Sequence, residues 1–288
     1  MFGFLNIYKP KGKTSHDVVA VLRKVTGIKQ IGHTGTLDPF AEGVLPICIG
    51  KSTRLIEYLN DDKAYVGTIK LGEATTTFDI EGDVTNTSDK IVSLEDIELG
   101  LQKFRGNIVQ VPPIYSAIKI NGKKLYEYAR NGEEVKIEPR LVTVDELKLL
   151  NYNKEKKSLE LFISCSKGTY IRSIANDLGK ELGTYGHLIK LVRVKAGDFT
   201  VNDSIQLDAL NDIETVKEKI LNPIKFLHNT IYELNSEEYK QISHGASIKA
   251  QYNNFTAGTK FITLTYKGNI VGIGELLSGF IKSKKIFC

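Results

Sequence analysis

Cysteine is scarce in this 288-residue chain, and the three present, Cys48, Cys165 and Cys288, stand far apart with no Cys-x-x-Cys pair. Neither a disulfide framework nor a thiolate zinc site is encoded. Histidine is thin as well, with five residues and none at the i, i+4 spacing of a helical metal pair. No metal is expected. No run of about 18 apolar residues occurs, so no membrane span is expected. The N-terminus, Met1-Phe2-Gly3-Phe4-Leu5, lacks the basic start, long apolar stretch and small-residue cleavage site of a secretory signal, which predicts a cytoplasmic protein. Internal repeats and low-complexity segments are missing too.

What is present suits a globular protein: 41% hydrophobic and 25% charged residues, in a length that holds one large domain plus a small appendage. The net charge of +5 fits a polyanionic partner. Its placement says more. Lys119, Lys123, Lys124 and Arg130 interleave with Tyr115, Tyr126 and Tyr128; Lys190, Arg193 and Lys195 form a second group, and Lys282, Lys284 and Lys285 a third. Cations neutralise phosphates and aromatic rings stack on unpaired bases. Each cluster by itself also reads as a solvated face.

Phe4 to Tyr8 reads as a short buried strand. Thr14 or Ser15 then caps a helix over 15–26, with Asp17 in its first turn, Val18, Leu22 and Val25 as its stripe and Gly27 as its stop. Ser93 with Asp96 makes a capping box for a second helix, whose stripe is Ile97, Leu101 and Phe104 and whose stop is Gly106. A third helix is expected from about Ser173 to Leu182. Ala64 to Leu71 alternates with Tyr65, Gly67, Ile69 and Leu71 on one face, and Leu141–Val144 and Leu159–Ser164 also read as strands. With no regular βαβ repeat, the fold class is α+β, a mixed, mainly antiparallel sheet with flanking helices. Near residue 230 the helix signals fade, and Lys260–Tyr266, a Lys-Gly-Asn turn and Ile270–Leu276 predict a hairpin in a small C-terminal all-β module. The expected division is 1–230 and 231–288.

Two segments carry chemical candidates. Lys9-Pro10-Lys11-Gly12-Lys13-Thr14-Ser15 resembles the end of a phosphate-binding loop, but that motif needs a glycine five positions before Gly12, where Ile7 stands. A nucleotide triphosphatase is therefore not encoded, although a helix N-terminus with nearby lysines suits an RNA phosphate. The second segment is Gly32-His33-Thr34-Gly35-Thr36-Leu37-Asp38-Pro39, followed by Gly43-Val44-Leu45. An aspartate before proline is commonly a turn starter. A histidine five residues upstream on the same glycine-bounded loop makes Asp38 a functional candidate as well.

This octapeptide resembles the catalytic loop of the tRNA pseudouridine-55 synthase family. Four more stretches match that family in order: Lys9-Pro10 with Gly12 and Thr14-Ser15; Tyr65 to Gly72 with Thr77-Phe78-Asp79-Ile80-Glu81-Gly82; Pro112 to Ala117 through Gly122 to Arg130; and Lys167-Gly168-Thr169-Tyr170-Ile171-Arg172 with Gly186-His187 and Leu191. The resemblance spans roughly residues 2–200 and implies a pseudouridine synthase fold with a C-terminal PUA-like RNA-binding domain. It implies that Asp38 is the nucleophile, that Tyr65 stacks on the target base and is implicated in proton abstraction, and that Arg172 pairs with Asp38 and has Asp79 as its acidic partner. It also implies that Leu191 walls the uracil pocket, that His33 holds the flipped T-loop, and that Tyr170 and Lys9 belong to the substrate-binding set. As bare residues, Tyr65 and Leu191 equally suit a core, Arg172 with Asp79 a structural ion pair, and His33 a loop hydrogen bond.

The implied reaction breaks the C1′–N1 bond of uridine and rejoins the ring through C5. Nothing is oxidised and no water is consumed, so no cofactor is expected. The partner is tRNA through its T-loop. The stretch Leu71-Gly72-Glu73 and the absence of long lysine-rich tails resemble the stand-alone bacterial enzymes more than the dyskerin relatives, which implies a monomer without guide RNA. A non-catalytic T-loop binding or RNA-chaperone protein is the rival expectation from the same basic and aromatic clusters.

Overall fold

Alternation over residues 63–71 is the plainest strand signal in the chain. In the computed structural model, which describes residues 1–250, 255 and 258–287, Lys63–Leu71 is a strand with Tyr65, Gly67, Ile69 and Leu71 buried and Val66, Thr68 and Lys70 half-buried. The chain opens with β1 (Gly3–Lys9), α1 (Ser15–Thr26), β2 (Ile31–His33), β3 (Glu42–Ile49), a 3-10 stretch over Gly50–Tyr58, and β4 (Lys63–Leu71). Next come β5 (Glu73–Thr75), β6 (Val84–Thr87), α2 (Leu94–Gln102), β7 (Gly106–Gln110), β8 (Lys119–Ile120), β9 (Lys123–Lys124) and α3 (Leu125–Arg130). Then follow β10 (Arg140–Asn153), β11 (Ser158–Cys165), α4 (Ile171–Glu181), β12 (Gly186–Ala196), β13 (Phe199–Thr200), β14 (Ile205–Gln206) and α5 (Ile213–Lys219). The C-terminal part holds β15 (Thr230–Glu233), α6 (Ser236–Ser243), β16 (Ile248–Lys249), β17 (Phe261–Tyr266), β18 (Asn269–Leu277) and β19 (Phe280–Ile286).

Ten strands form one sheet in the order β14-β1-β3-β12-β4-β11-β10-β7, with β2 added to β3 and β13 to β12. The β1–β14 and β3–β12 pairs are parallel and the other pairs antiparallel, so the fold is α+β with a mixed, mainly antiparallel sheet. The short β3–β12 junction matters most. Its register, Val192 opposite Glu42 and Arg193 opposite Gly43, lays the segment that enters β3 beside Leu191 and Arg193. On its other edge β12 pairs with β4, where Leu191 faces Gly67 and Arg193 faces Tyr65.

Helix α1 forms as its grammar dictates. Thr14 Oγ1 accepts from the Asp17 amide, the Asp17 carboxylate accepts from the Thr14 amide, and Gly27 closes the helix in the left-handed region. Val18, Val19 and Leu22 then pack with Leu5, Ile7, Leu45 and Ile47. Helices α2 and α4 cover the opposite half of the sheet through Ile97, Leu101, Ile174 and Leu178, against Ile69, Leu161 and Ile163.

Several boundaries differ from the sequence reading. Helix α2 stops at Gln102, so Phe104 packs on the core from a turn, and Gly106 (φ 75°) opens a strand rather than closing the helix. Helix α4 starts at Ile171, two residues before Ser173. The strand expected at Leu141–Val144 continues to Asn153, because bulges at Val144/Glu146 and Leu149/Asn151 break the alternation that reveals a strand. Strand β3 carries Pro46, a residue that normally speaks against a central strand. Here β12 pairs only at Glu42 and Gly43 and the β2 ladder reaches only Ile47, so Pro46 lies beyond both ladders on that edge, with its carbonyl accepting from the Thr34 amide at 3.1 Å.

The second sheet has five strands in the order β15-β17-β18-β19-β16 and its own core of Tyr232, Ile242, Ile262, Leu264 and Ile281. It rests on the first unit through Ile273 and Phe287, which join a cluster with Phe4, Leu55, Phe199 and Leu227. Arg54 Nη1 donates to the Ile286 carbonyl at 2.9 Å across the same contact. Cys48 and Cys165 are buried free thiols, and Cys288 lies outside the described residues. No helix among the described residues is long and apolar enough to cross a membrane.

Candidate active site

Residues 34–41 link β2 to β3, and a short polypeptide loop of this kind holds a shape only if its backbone groups find partners. The Lys9–Ser15 segment supplies them. Ser15, at the start of α1, accepts from the Leu37 amide at 2.8 Å and donates to the Leu37 carbonyl at 3.1 Å. The Gly12 amide donates to the Pro39 carbonyl at 2.8 Å. Lys9 is fully buried, and its ammonium donates to the carbonyls of Lys13 (2.5 Å), Pro10 (3.1 Å) and Pro39 (3.4 Å). Burial lowers its pKa to about 8. The segment that suggested a phosphate site is thus a brace under the Asp38 loop, with the Lys9 ammonium turned inward onto these carbonyls.

Arg193 braces the same loop from the other side. Its Nε donates to the Val44 carbonyl at 2.6 Å, and its terminal nitrogens donate to the carbonyls of Gly35 (3.1 Å) and Thr36 (3.4 Å). It is 1% exposed, so the basic group of Lys190, Arg193 and Lys195 is no single RNA-facing patch. Lys195 pairs with Asp62 at the surface.

Asp38 emerges from this braced loop and meets Arg172, the second residue of α4. Arg172 Nε lies 3.0 Å from Asp38 Oδ2, and Nη2 donates to Asp38 Oδ1 at 3.3 Å. The guanidinium is itself held from behind: Nη1 donates to Asp79 Oδ2 and to the Thr77 carbonyl, both at 3.2 Å, and Nη2 to the Tyr115 carbonyl at 2.9 Å. Asp79 is in turn fixed by the Thr77 hydroxyl at 2.5 Å and the Glu81 amide at 3.0 Å. Between them Phe78 adopts φ 63°, a conformation rare for a bulky residue, which lets Thr77 and Asp79 face one guanidinium. Gln110 fixes the entry to α4 by accepting from the Tyr170 amide (2.7 Å) and donating to the Tyr170 carbonyl (3.0 Å).

The three charged side chains differ in access: Asp38 is 33% exposed, Arg172 5% and Asp79 3%. Only Asp38 is presented outward. Burial pushes its carboxyl above the ordinary value, the Arg172 charge opposes that rise, and the Asp79 charge adds to it.

Asp38 opens onto a cleft of about 320 Å³, at the small end of ligand sites. Leu37, Tyr65, Tyr170, Ile171 and Leu191 are among its apolar and aromatic lining; besides Asp38, the charged groups on its wall are Asp61, Lys63, Lys167, Arg172 and Arg193, with Thr34, Thr36, Ser116 and Thr169 between them. Tyr65 is 8% exposed; burial raises its hydroxyl pKa and the adjacent Arg193 charge pulls against that. Of the residues singled out from the sequence, Asp38, Tyr65, Tyr170, Arg172 and Leu191 line the cleft. Asp79, Lys9 and His33 do not. His33 ends β2 half-buried, edge-on to His16 at 6.5 Å; burial first, then the Arg193 and His16 charges, lowers its pKa.

Lys63 and Gln110 escaped the sequence reading, which gave Arg193 only a place in a basic group and Ser15 only a capping role. Lys63 had a signal, since it lies two residues before Tyr65 on the same alternating face. Among the described residues no group of three His, Cys, Asp or Glu side chains is placed to hold a metal ion.

Comparison with known proteins places this site in a family context. The model of the TruB family pseudouridylate synthase N-terminal domain matches residues 23–171, and that of the tRNA pseudouridylate synthase B C-terminal domain matches 172–233. The chain is 42% identical to tRNA pseudouridine synthase B of Prochlorococcus marinus (strain NATL1A), over 99% of this chain and 98% of that protein. It is also 42% identical to tRNA pseudouridine synthase B of Caldanaerobacter subterraneus subsp. tengcongensis, over 99% of each. Among solved structures, a chain of a Cbf5-Nop10-Gar1 complex superposes with a TM-score of 0.75 at 25% identity, covering 100% of this chain and 85% of that one.

Proposed function

The chain belongs to the TruB family of pseudouridylate synthases, and from that premise we propose that it isomerises uridine 55 in the T-loop of tRNA, with Asp38 as the catalytic carboxylate. The observation that carries this reading is the arrangement around Asp38. One carboxylate is presented to a small, partly aromatic cleft, while a buried arginine holds it from behind and is itself anchored by Asp79.

A uridine inside a folded T-loop must leave its stack before its C1′–N1 bond comes within reach, at a cost of a few kcal/mol. Tyr65 returns part of that cost by stacking on the base, a contact worth roughly 1–3 kcal/mol. Leu191 closes the pocket behind the ring, and Tyr170 at the α4 entry lines its mouth. Asp38 then acts as nucleophile or takes a ribose proton. Arg172 keeps the carboxylate oriented, and Asp79 serves as the positioning residue for Arg172. His33, outside the cleft, suits a contact to the displaced loop.

RNA affinity comes from the segment between β7 and β10. There Lys123 lies 4.5 Å from the ring centre of Tyr128, and Lys124 and Arg130 flank Tyr126. Residues 1–230 form the catalytic domain and 231–288 a PUA-like RNA-binding domain in this reading. The protein works in the cytoplasm as a monomer, without guide RNA.

The reading is tested by tritium release from tRNA labelled at uridine C5. Wild type should release it, and Asp38→Asn should bind the tRNA with unchanged affinity and release none. Release by that variant at the wild-type rate would remove Asp38 from the chemistry.

A further inference from the structure

Two cations in the cleft wall touch no carboxylate among the described residues, although the Asp61 and Asp62 charges act on Lys63 from a distance and the Asp38 charge on Arg193. Lys63 is 9% exposed, and its ammonium donates to the backbone carbonyls of Asp61 (3.0 Å) and Asp62 (3.4 Å). The carboxylates of those two residues are engaged elsewhere, Asp61 with Lys167 and Asp62 with Lys195. An ammonium has three donors, so one N–H of Lys63 is not taken by these carbonyls. Arg193, beside it, donates to three carbonyls and to no carboxylate, and both side chains line the cleft. Arg172, by contrast, already has Asp38 and Asp79. Burying a cation with no carboxylate in contact is costly, and two adjacent ones cost more. Such a pair fits a site that receives negative charge during its reaction.

The isomerisation supplies that charge, and this inference rests on the reading of the cleft as the isomerase site. If Asp38 adds to C1′, the C1′–N1 pair leaves with the ring as a uracil anion. If Asp38 takes the C2′ proton, the ring leaves with the same pair. If Asp38 adds to C6, the ring carries the charge before the bond breaks. On each route the negative charge passes from Asp38 to the pyrimidine, which later forms the C5–C1′ bond with its own electron pair. The C5 proton then departs, N1 gains one, and Asp38 is regenerated as the carboxylate. We propose that Lys63, backed by Arg193, stabilises the negative charge on the pyrimidine ring between cleavage and rejoining.

Single-turnover conversion and tRNA affinity, measured together for wild type, Lys63→Met and Lys63→Arg, test this. Lys63→Met should keep the wild-type Kd and lose roughly 10²-fold in rate, the scale of removing one charge-stabilising donor. Lys63→Arg should keep most of the rate. In tRNA carrying 5-fluorouridine, where fluorine stabilises the ring anion, cleavage by Lys63→Met should be less impaired relative to wild type. A wild-type rate in Lys63→Met, or a loss confined to Kd and its salt dependence, would overturn the proposal; the second result would make Lys63 a phosphate contact.

A pH profile keeps the test open if Lys63→Met does not fold. Lys63 is faced by Arg193 from β12, Cys165 from β11, and Asp61 and Asp62 from its own loop; burial and then the Arg193 charge lower its pKa to about 8. Cys165 is raised to about 11 and does not titrate in that range. Lys9 shares a value of about 8, but Lys63→Arg leaves it unchanged. The wild-type rate should therefore fall through about pH 8 and that of Lys63→Arg should not. A wild-type profile that stays level there would also overturn the proposal. A wild-type protein that makes no pseudouridine at all would instead refute the isomerase reading.

Discussion

Asp38 was legible as a candidate because its evidence is contiguous: eight residues in a row carry both the resemblance that implies the nucleophile and the glycines that shape its loop. Arg193 was not, because a cation in a run of cations signals a surface, and only the fold reveals that three of its donors turn to the carbonyls of Gly35, Thr36 and Val44. Lys9 is another cation whose inward bonds only the fold reveals. At this scale the pH dependence of the reaction is the sharpest expectation. In the proposed reaction Asp38 acts as the carboxylate, and burial raises its pKa above the ordinary 3.8. A raised carboxyl contributes stability below the unfolded value and loses that contribution as pH rises through the folded one. The reactive form is lost in the opposite sense, as pH falls through the raised value. The acid limb of kcat/KM should therefore lie above pH 3.8, a position that single-turnover assays across acid pH at constant ionic strength will read. A limb at or below the ordinary aspartate value would mean that Arg172 outweighs burial.

Elements set where these residues meet. The parallel contact of β3 with β12 joins the Asp38 loop to Leu191 and Arg193, and the antiparallel contact of β12 with β4 adds Tyr65. None of this pairing is local, so the sequence showed β4 clearly and left the β3–β12 junction unseen. The start of α4 was hidden for a related reason. Gln110, sixty residues upstream, satisfies Tyr170 in place of a local capping side chain. Gly43 makes the junction possible: it adopts φ 107°, and a Cβ there would lie 2.3 Å from the Arg193 carbonyl oxygen. Gly43→Ala should cost on the order of 2 kcal/mol in stability through the strained backbone and the clash. It should also lower kcat more than it weakens tRNA binding, because the strand that orients Arg193 must move. Denaturant melts and single-turnover rates for this variant check both parts. An unchanged melt would show that the two strands separate freely.

On the scale of the whole molecule, a small five-stranded sheet rests on a larger unit through Ile273 and Phe287, and the cleft lies in that unit between the β2–β3 loop and the N-terminus of α4. The sequence conveyed the α+β class and the C-terminal hairpin, since both depend on local alternation and turn residues. It did not convey how the two parts pack, which depends on Phe4, Leu55 and Phe199 from three distant segments. The central claim, that this assembly turns one tRNA uridine into pseudouridine through Asp38, is tested most directly by mapping pseudouridine in an unmodified tRNA transcript after incubation with the purified protein. The account predicts a single new pseudouridine at position 55 of the T-loop with wild type and none with Asp38→Asn. Full binding of the tRNA without pseudouridine, or pseudouridine formed equally by the Asp38→Asn protein, would contradict it.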